Sequence, residues 1–265
     1  RECAVADQFY PSNPKSLKEE IERFKPKTNS NISAKGIIIP HAGYIYSGKV
    51  AISTVGIVKP KRRIIILGPN HTGIGHTFSI FPEGEWKMPF ANIKIDRELA
   101  KNIVGDADLI KEDYSAHLHE HSIEVELPIL QYFFGDFEFI PIVCGIANVD
   151  IYRRVAHRIY EAIENIQNDI LIVASSDMTH YEEDSSARKK DSLAIESILK
   201  LDEEELVEKV EKYNISMCGI APVSVLLHCC KLLKANKAEV VLYQTSGDAS
   251  GDYSSVVGYL GVVIH

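Results

Sequence analysis

Residues 37–48 read IIIPHAGYIYSG: three isoleucines, a proline, and then His41 where the apolar run stops. A short β-branched run without alternation is the pattern of a strand buried on both faces. Two further runs end the same way. IIILGPN at 64–70 delivers His71, and ILIVASS at 170–176 delivers Asp177 and, three residues on, His180. Strand-like runs also cover Phe137–Val143, Val240–Tyr243 and Val256–Ile264.

Helical patterns separate these runs. Asn13 and Pro14 read as N-cap and first helical position of KSLKEEIERF. Further helices are expected over 48–58, 97–104, 122–133, 151–166, 185–200, 203–213 and 222–233, and a hairpin with Trp86 over 77–95. Strands alternating with helices predict an α/β fold: a three-layer sandwich around a mainly parallel, mixed central sheet. No stretch reads as a linker, so residues 1–265 are expected to form a single α/β domain.

Composition narrows the function classes. The 265 residues are 45% hydrophobic and 25% charged, with a net charge of −8. That balance argues against nucleic acid as the partner, since phosphate binding needs a basic footprint. KPKRR at 59–63 reads as a solvated turn before a strand. The chain does not open on a secretory pattern and holds no apolar run of the ~20 residues that a membrane span requires. A cytoplasmic location without membrane association is therefore expected. The five cysteines, an odd number with an adjacent pair at Cys229 and Cys230, make a poor disulfide framework.

Chemistry collects where the strands end, because ligands of open α/β sheets bind beyond the carboxyl ends of the strands. Adjacent parallel strands would bring His41, His71, Asp177 and His180 to one edge. Two imidazoles and an anionic group can hold a divalent ion and leave positions open. The third group is Asp177 or a thiolate, and Cys218 in SMCGIAP is the candidate thiol, placed ahead of a helix whose N-terminus favours the thiolate. The plainer readings are turn histidines, an N-cap aspartate and a small buried cysteine. Alternate histidines at 117, 119 and 121 read as a histidine-bearing loop, in which His121, with Glu124, has the stronger claim to support the site by hydrogen bonding. Asp248 and Asp252 do not match a calcium-loop spacing.

The stretches AVADQFYP, PHAGYIYSG, LGPNHTG, EHSIEVELPILQ, SSDMTHY, MCGIAPV and TSGDASGDYSSVVGY occur in order from Ala4 to Tyr259. Together they resemble the Memo (mediator of cell motility) family, in its prokaryotic form. The visible departure is Asp7, where the family more often has glycine. The resemblance implies a fold similar to the class III extradiol dioxygenases, which hold iron with two histidines and a carboxylate. By position it implies His41 and His71 as metal ligands, His180 as the acid/base histidine, and Cys218 in place of the glutamate. It also implies association with a radical-SAM protein in prokaryotes, and phosphorylated receptor peptides as partners in animals.

Three functional expectations follow. The first is an iron-binding redox protein or non-haem oxygenase-like enzyme acting on a small molecule, with Fe(II) on His41, His71 and Cys218, copper or zinc as alternative ions, and His180, Asp177 and Cys218 in the chemistry. The second is an adaptor that accepts an anionic or phosphorylated peptide in the same pocket without turnover. The third is a metal-free enzyme with Cys218 as nucleophile.

Overall fold

Each apolar run forms a strand in the computed structural model, which describes residues 1–27, 31–105 and 109–265. The chain begins with helix α1 (Pro14–Phe24), strand β1 (Gly36–Ile39), helix α2 (Tyr44–Val55) and strand β2 (Arg63–Pro69). Short strands β3 (Phe78–Ile80), β4 (Glu85–Trp86) and β5 (Ile93–Ile95) precede α3 (Arg97–Val104), β6 (Lys111–Glu112) and α4 (Ser115–Leu118). Then come α5 (Leu127–Phe134), β7 (Glu138–Cys144), α6 (Val149–Ile163), β8 (Ile170–Ser175), β9 (Asp177–Glu182) and α7 (Asp184–Leu199). The described elements end with α8 (Glu203–Lys212), α9 (Ile220–Leu232), β10 (Ala238–Thr245), α10 (Gly247–Ser250) and β11 (Val256–Ile264).

The strands join one mixed sheet whose spine runs β10-β11-β1-β8-β2-β7-β3-β6. Its centre, β1-β8-β2-β7, is parallel throughout. Strand β11, antiparallel to β1, and β10, antiparallel to β11, extend one side, and β3, antiparallel to β7, the other. Residues 37–39, 64–67 and 170–174 are all buried, and each isoleucine so buried contributes roughly 1.5–3 kcal/mol.

Two glycines show which helices cover which face. Gly36 pairs with Ile264, and a Cβ there would meet Leu226 and Cys230 of α9. Gly261 lies three positions from Ile264 and so faces the other way, and a Cβ there would meet Val50 and Thr54 of α2. Helices α9 and α2 therefore lie on opposite faces. Helices α6 and α8 pack beside α9, while α1 and α5 pack beside α2.

Local chemistry explains several boundaries. Asn13 caps α1 as expected, its side chain accepting from the amides of Lys15 and Ser16. The helix expected from Gly48 starts earlier, at Tyr44, because the buried Tyr44 ring is anchored through its hydroxyl to the Val125 carbonyl at 2.8 Å. The segment expected to be helical from Ser122 is a 3-10 turn over Glu124–Glu126, and α5 begins only at Leu127 with Pro128 in its first turn. Asp177 caps no helix but opens β9, a strand that its polar sequence DMTHYE did not announce. Asp7 has φ 64°, the left-handed region that favours glycine. Its side chain supports that turn by accepting from the Ser12 amide at 2.8 Å.

Candidate metal centre

Strand order decides which predicted residues meet. Strand β8 lies between β1 and β2, so His41 and His71 leave the sheet on either side of Ser175. Their rings stand 5.1 Å apart. A third histidine joins them from a different direction: the His121 ring is 4.7 Å from that of His71 and 5.5 Å from that of His41. The three side chains offer donor atoms within 4.8 Å of one another, a triad able to hold a metal ion.

Each of the two strand-end imidazoles has its Nδ1 occupied. Ser175 Oγ donates to the Ser122 carbonyl at 2.7 Å, which uses its only hydrogen. The 2.7 Å contact from His41 Nδ1 to the same oxygen must then be an N–H donation, which leaves Nε2 of His41 as the unprotonated nitrogen, facing Cys218 Sγ. Burial, followed by the neighbouring histidines, holds His41 well below the usual histidine range, so it is neutral. His71 Nδ1 lies 2.9 Å from Glu120 Oε1, and the same carboxylate accepts from the amides of His71, His121 and Ser122 at 2.6, 2.9 and 2.9 Å. Burial opposes the charge on Glu120, yet these bonds hold its pKa down to about 2. A carboxylate behind a histidine fixes its tautomer and raises its basicity as a ligand.

The remaining predicted residues surround the triad unevenly. Cys218 Sγ lies 3.5 Å from His41 Nε2 and accepts from the Asp177 amide at 3.3 Å. Burial, then the Asp177 carboxylate, pushes its thiol up, against the lowering expected from the helix that follows. That helix begins at Ile220, and Cys218 is fixed by a close approach: a Cβ on Gly219 would overlap Ser176 and the Ser175 carbonyl. Asp177 is buried and accepts from the His41 amide at 3.0 Å, and burial pushes its pKa up to about 6. His180 Nδ1 donates to the Ser216 carbonyl at 2.9 Å, leaving its Nε2 free. Next to it Tyr181 has φ 58°, a conformation that costs a bulky residue about 1–3 kcal/mol and is concentrated at functional sites.

Glu124 does not support His121 by a hydrogen bond. It accepts from the amides of Ala4 and Val5, from the Tyr10 hydroxyl and from Arg1, whose guanidinium stacks 4.1 Å over Trp86. The strap so anchored reaches the site through Phe9, whose ring is 4.8 Å from that of His121. The supporting carboxylate that sequence reasoning missed is Glu120. Its one sequence signal is adjacency to His121, and its contact with His71, 49 residues away, has none. The other two histidines of the cluster diverge: His117 is buried against Phe81 and Trp86, and His119 is exposed.

Glu126 lies behind the site. It is fully buried, and neither carboxyl oxygen makes a hydrogen bond of good geometry, with the Ser175 hydroxyl its one polar neighbour. Burial holds its pKa well above the usual carboxylate range, which favours the protonated, neutral form.

Comparison with known proteins places this architecture. The model of the family described as Memo-like protein matches residues 1–263. The chain belongs to the Memo family. MEMO1 family protein MK0963 of Methanopyrus kandleri is 40% identical, over 99% of this chain and 98% of the relative. The MEMO1 family protein of Aquifex aeolicus is 41% identical with the same coverages, and that of Desulfurococcus amylolyticus is 43% identical over 98% and 96%. Among solved structures, uncharacterized protein JW3007 from Escherichia coli K12 superposes with a TM-score of 0.55 at 8% identity, over 86% of this Memo chain and 98% of its own. At that identity the likeness speaks for the α/β fold alone. Among the described residues, no helix of the Memo protein is long and apolar enough to cross a membrane.

Proposed function

We propose that this Memo protein is a metal-dependent redox enzyme, similar in fold and chemistry to the class III extradiol dioxygenases, that acts on a small molecule with Fe(II) as its ion. The observation that carries the reading is how the rings are held: His41 and His71 have Nδ1 committed to Ser175 and Glu120, so Nε2 is the atom each has left for a metal in the triad. Neutral imidazole is the form that ligates a metal.

The three imidazoles form the donor group that supports an ion in this space, and Cys218, outside that group, touches it through His41 Nε2. Nitrogen and sulfur donors on one tetrahedral ion with ordinary bond lengths are separated by about 3.5 Å. The observed separation of His41 Nε2 and Cys218 Sγ is 3.5 Å. His41, His71 and Cys218 are the proposed ligand set, with His121 as the further imidazole of the triad. When bound, a redox-active ion with open positions supplies electron transfer and polarisation of substrate. The protein's own groups then handle protons. His180, with Nδ1–H held by Ser216, takes or gives a proton at Nε2. Asp177 orients the His41 backbone and adds a buried acid beside His180 on the same strand. The raised thiol of Cys218 weighs against a metal-free nucleophile, which needs a depressed one.

Anaerobic purification followed by metal analysis tests the reading. Stoichiometric iron in the wild-type protein and its loss in a His41→Ala, His71→Ala double variant is the expected result. Equal substoichiometric metal in both would overturn it.

A further inference from the structure

The strained Tyr181 has a consequence beyond the metal pocket. Its backbone is left-handed, and the residue is 80% exposed although it directly follows His180. The ring forms one wall of a cleft of about 310 Å³, a size suited to a small molecule. Tyr46, Tyr259, Ser246, Ser250 and Asp252 contribute the other walls.

The cleft adjoins the metal pocket through its floor. Tyr259 on β11 is paired directly with Asp177 on β9, and residues so paired point to the same face of a sheet. Asp177 in turn binds the His41 amide. Asp177 thus links the floor of the cleft to the backbone of a triad residue.

The lining identifies the chemistry it suits. Tyr46 and Tyr181 present partly or largely exposed rings for stacking. Ser246 Oγ accepts from the Val257 amide and Ser250 Oγ from the Asp252 amide, so each hydroxyl retains its hydrogen for a ligand acceptor. None of the lining residues is Lys, Arg or His, and the single charged one is Asp252. A phosphate here would meet a carboxylate and no cation. We propose that this cleft is the substrate arm of the metal site and takes an uncharged ring compound bearing hydroxyl groups, of the nucleoside or glycoside kind. Its role as a substrate arm rests on the metal-enzyme reading, whereas its binding does not.

Titration with adenosine and with adenosine monophosphate, followed by calorimetry and ligand-observed NMR on metal-free and metal-loaded protein, tests the proposal. Adenosine is expected to bind saturably in both forms, and the monophosphate at least tenfold more weakly. Tyr46→Ala and Tyr181→Ala are each expected to weaken adenosine about fivefold or more, the lower end of base-on-aromatic stacking. Tyr181→Gly, which relieves the backbone while removing the ring, should show the same loss and guards against a folding artefact. Absence of adenosine binding, equal or tighter binding of the monophosphate, or unchanged affinity in the tyrosine variants would overturn the proposal. Loss of the metal reading would look different: adenosine would still bind while the His41→Ala, His71→Ala variant kept its metal.

Discussion

Glu120 Oε1 stands 2.9 Å from His71 Nδ1 while Oε2 accepts from the amide of the same residue at 2.6 Å. One carboxylate thus fixes both the ring and the backbone of a candidate ligand. Glu120→Gln keeps the shape but replaces an anionic acceptor with an amide. Metal affinity, measured by competition with a chromogenic chelator, should fall about 10- to 100-fold, the usual cost of losing a partner behind a metal ligand. An unchanged affinity would remove Glu120 from the site.

Cys218 makes a spectroscopic prediction. If its sulfur shares the ion with His41, the cobalt-substituted protein will show a thiolate-to-metal charge-transfer absorption. Cys218→Ser should abolish that band while cobalt remains bound through the imidazoles. A band that survives the substitution, or never appears, means that the 3.5 Å contact is a thiol resting against a histidine.

Glu124 belongs to the architecture. Its substitution by Ala leaves the buried Arg1 guanidinium and the amides of Ala4 and Val5 without their acceptor. Breaking a buried pair costs about 3–5 kcal/mol. At about 2–4 °C per kcal/mol for chains of this size, thermal denaturation should move down by roughly 6–20 °C. Metal content at low temperature should persist, because no ligand hydrogen-bonds to Glu124.

Glu126 should behave in the opposite way. A buried acid without a well-made hydrogen bond costs about 1–3 kcal/mol, and Glu126→Met is expected to stabilise the protein by an amount of that order. The sign of the pH dependence follows from the raised folded pKa. Between the ordinary value of 4.5 and the folded value, the folded state holds the proton more tightly than the unfolded one, so wild-type stability falls as pH rises. The gap between variant and wild type should therefore widen from pH 4.5 upward in paired melting curves. A constant gap would mean that Glu126 is ionised in the fold.

The strands of the sheet core were legible because β1, β2 and β8 are uninterrupted β-branched runs, and the parallel order followed from the helices between them. The histidine-bearing strand ends were legible for the same reason: a polar residue directly after a buried strand has few places to go. What escaped detection lacked a local signature. Strand β9 reads DMTHYE and is held by pairing with β11, a tertiary contact that no periodicity encodes. His121 reaches the triad from the loop between α4 and the 3-10 turn, so it carries no strand-end signal. Glu120 gains its role from His71, 49 residues earlier, and Glu124 was placed beside His121 by sequence proximity although its partners lie more than a hundred residues away.

Gly219 has no functional group, yet it gauges the distance between the Cys218 loop and the end of β8. Because a Cβ there would overlap Ser176 and the Ser175 carbonyl, even an alanine would force the Cys218 loop and the end of β8 to shift against one another. A residue with no functional group of its own thus sets how closely the thiol can approach the imidazoles, so a single methyl group there is a test of that spacing.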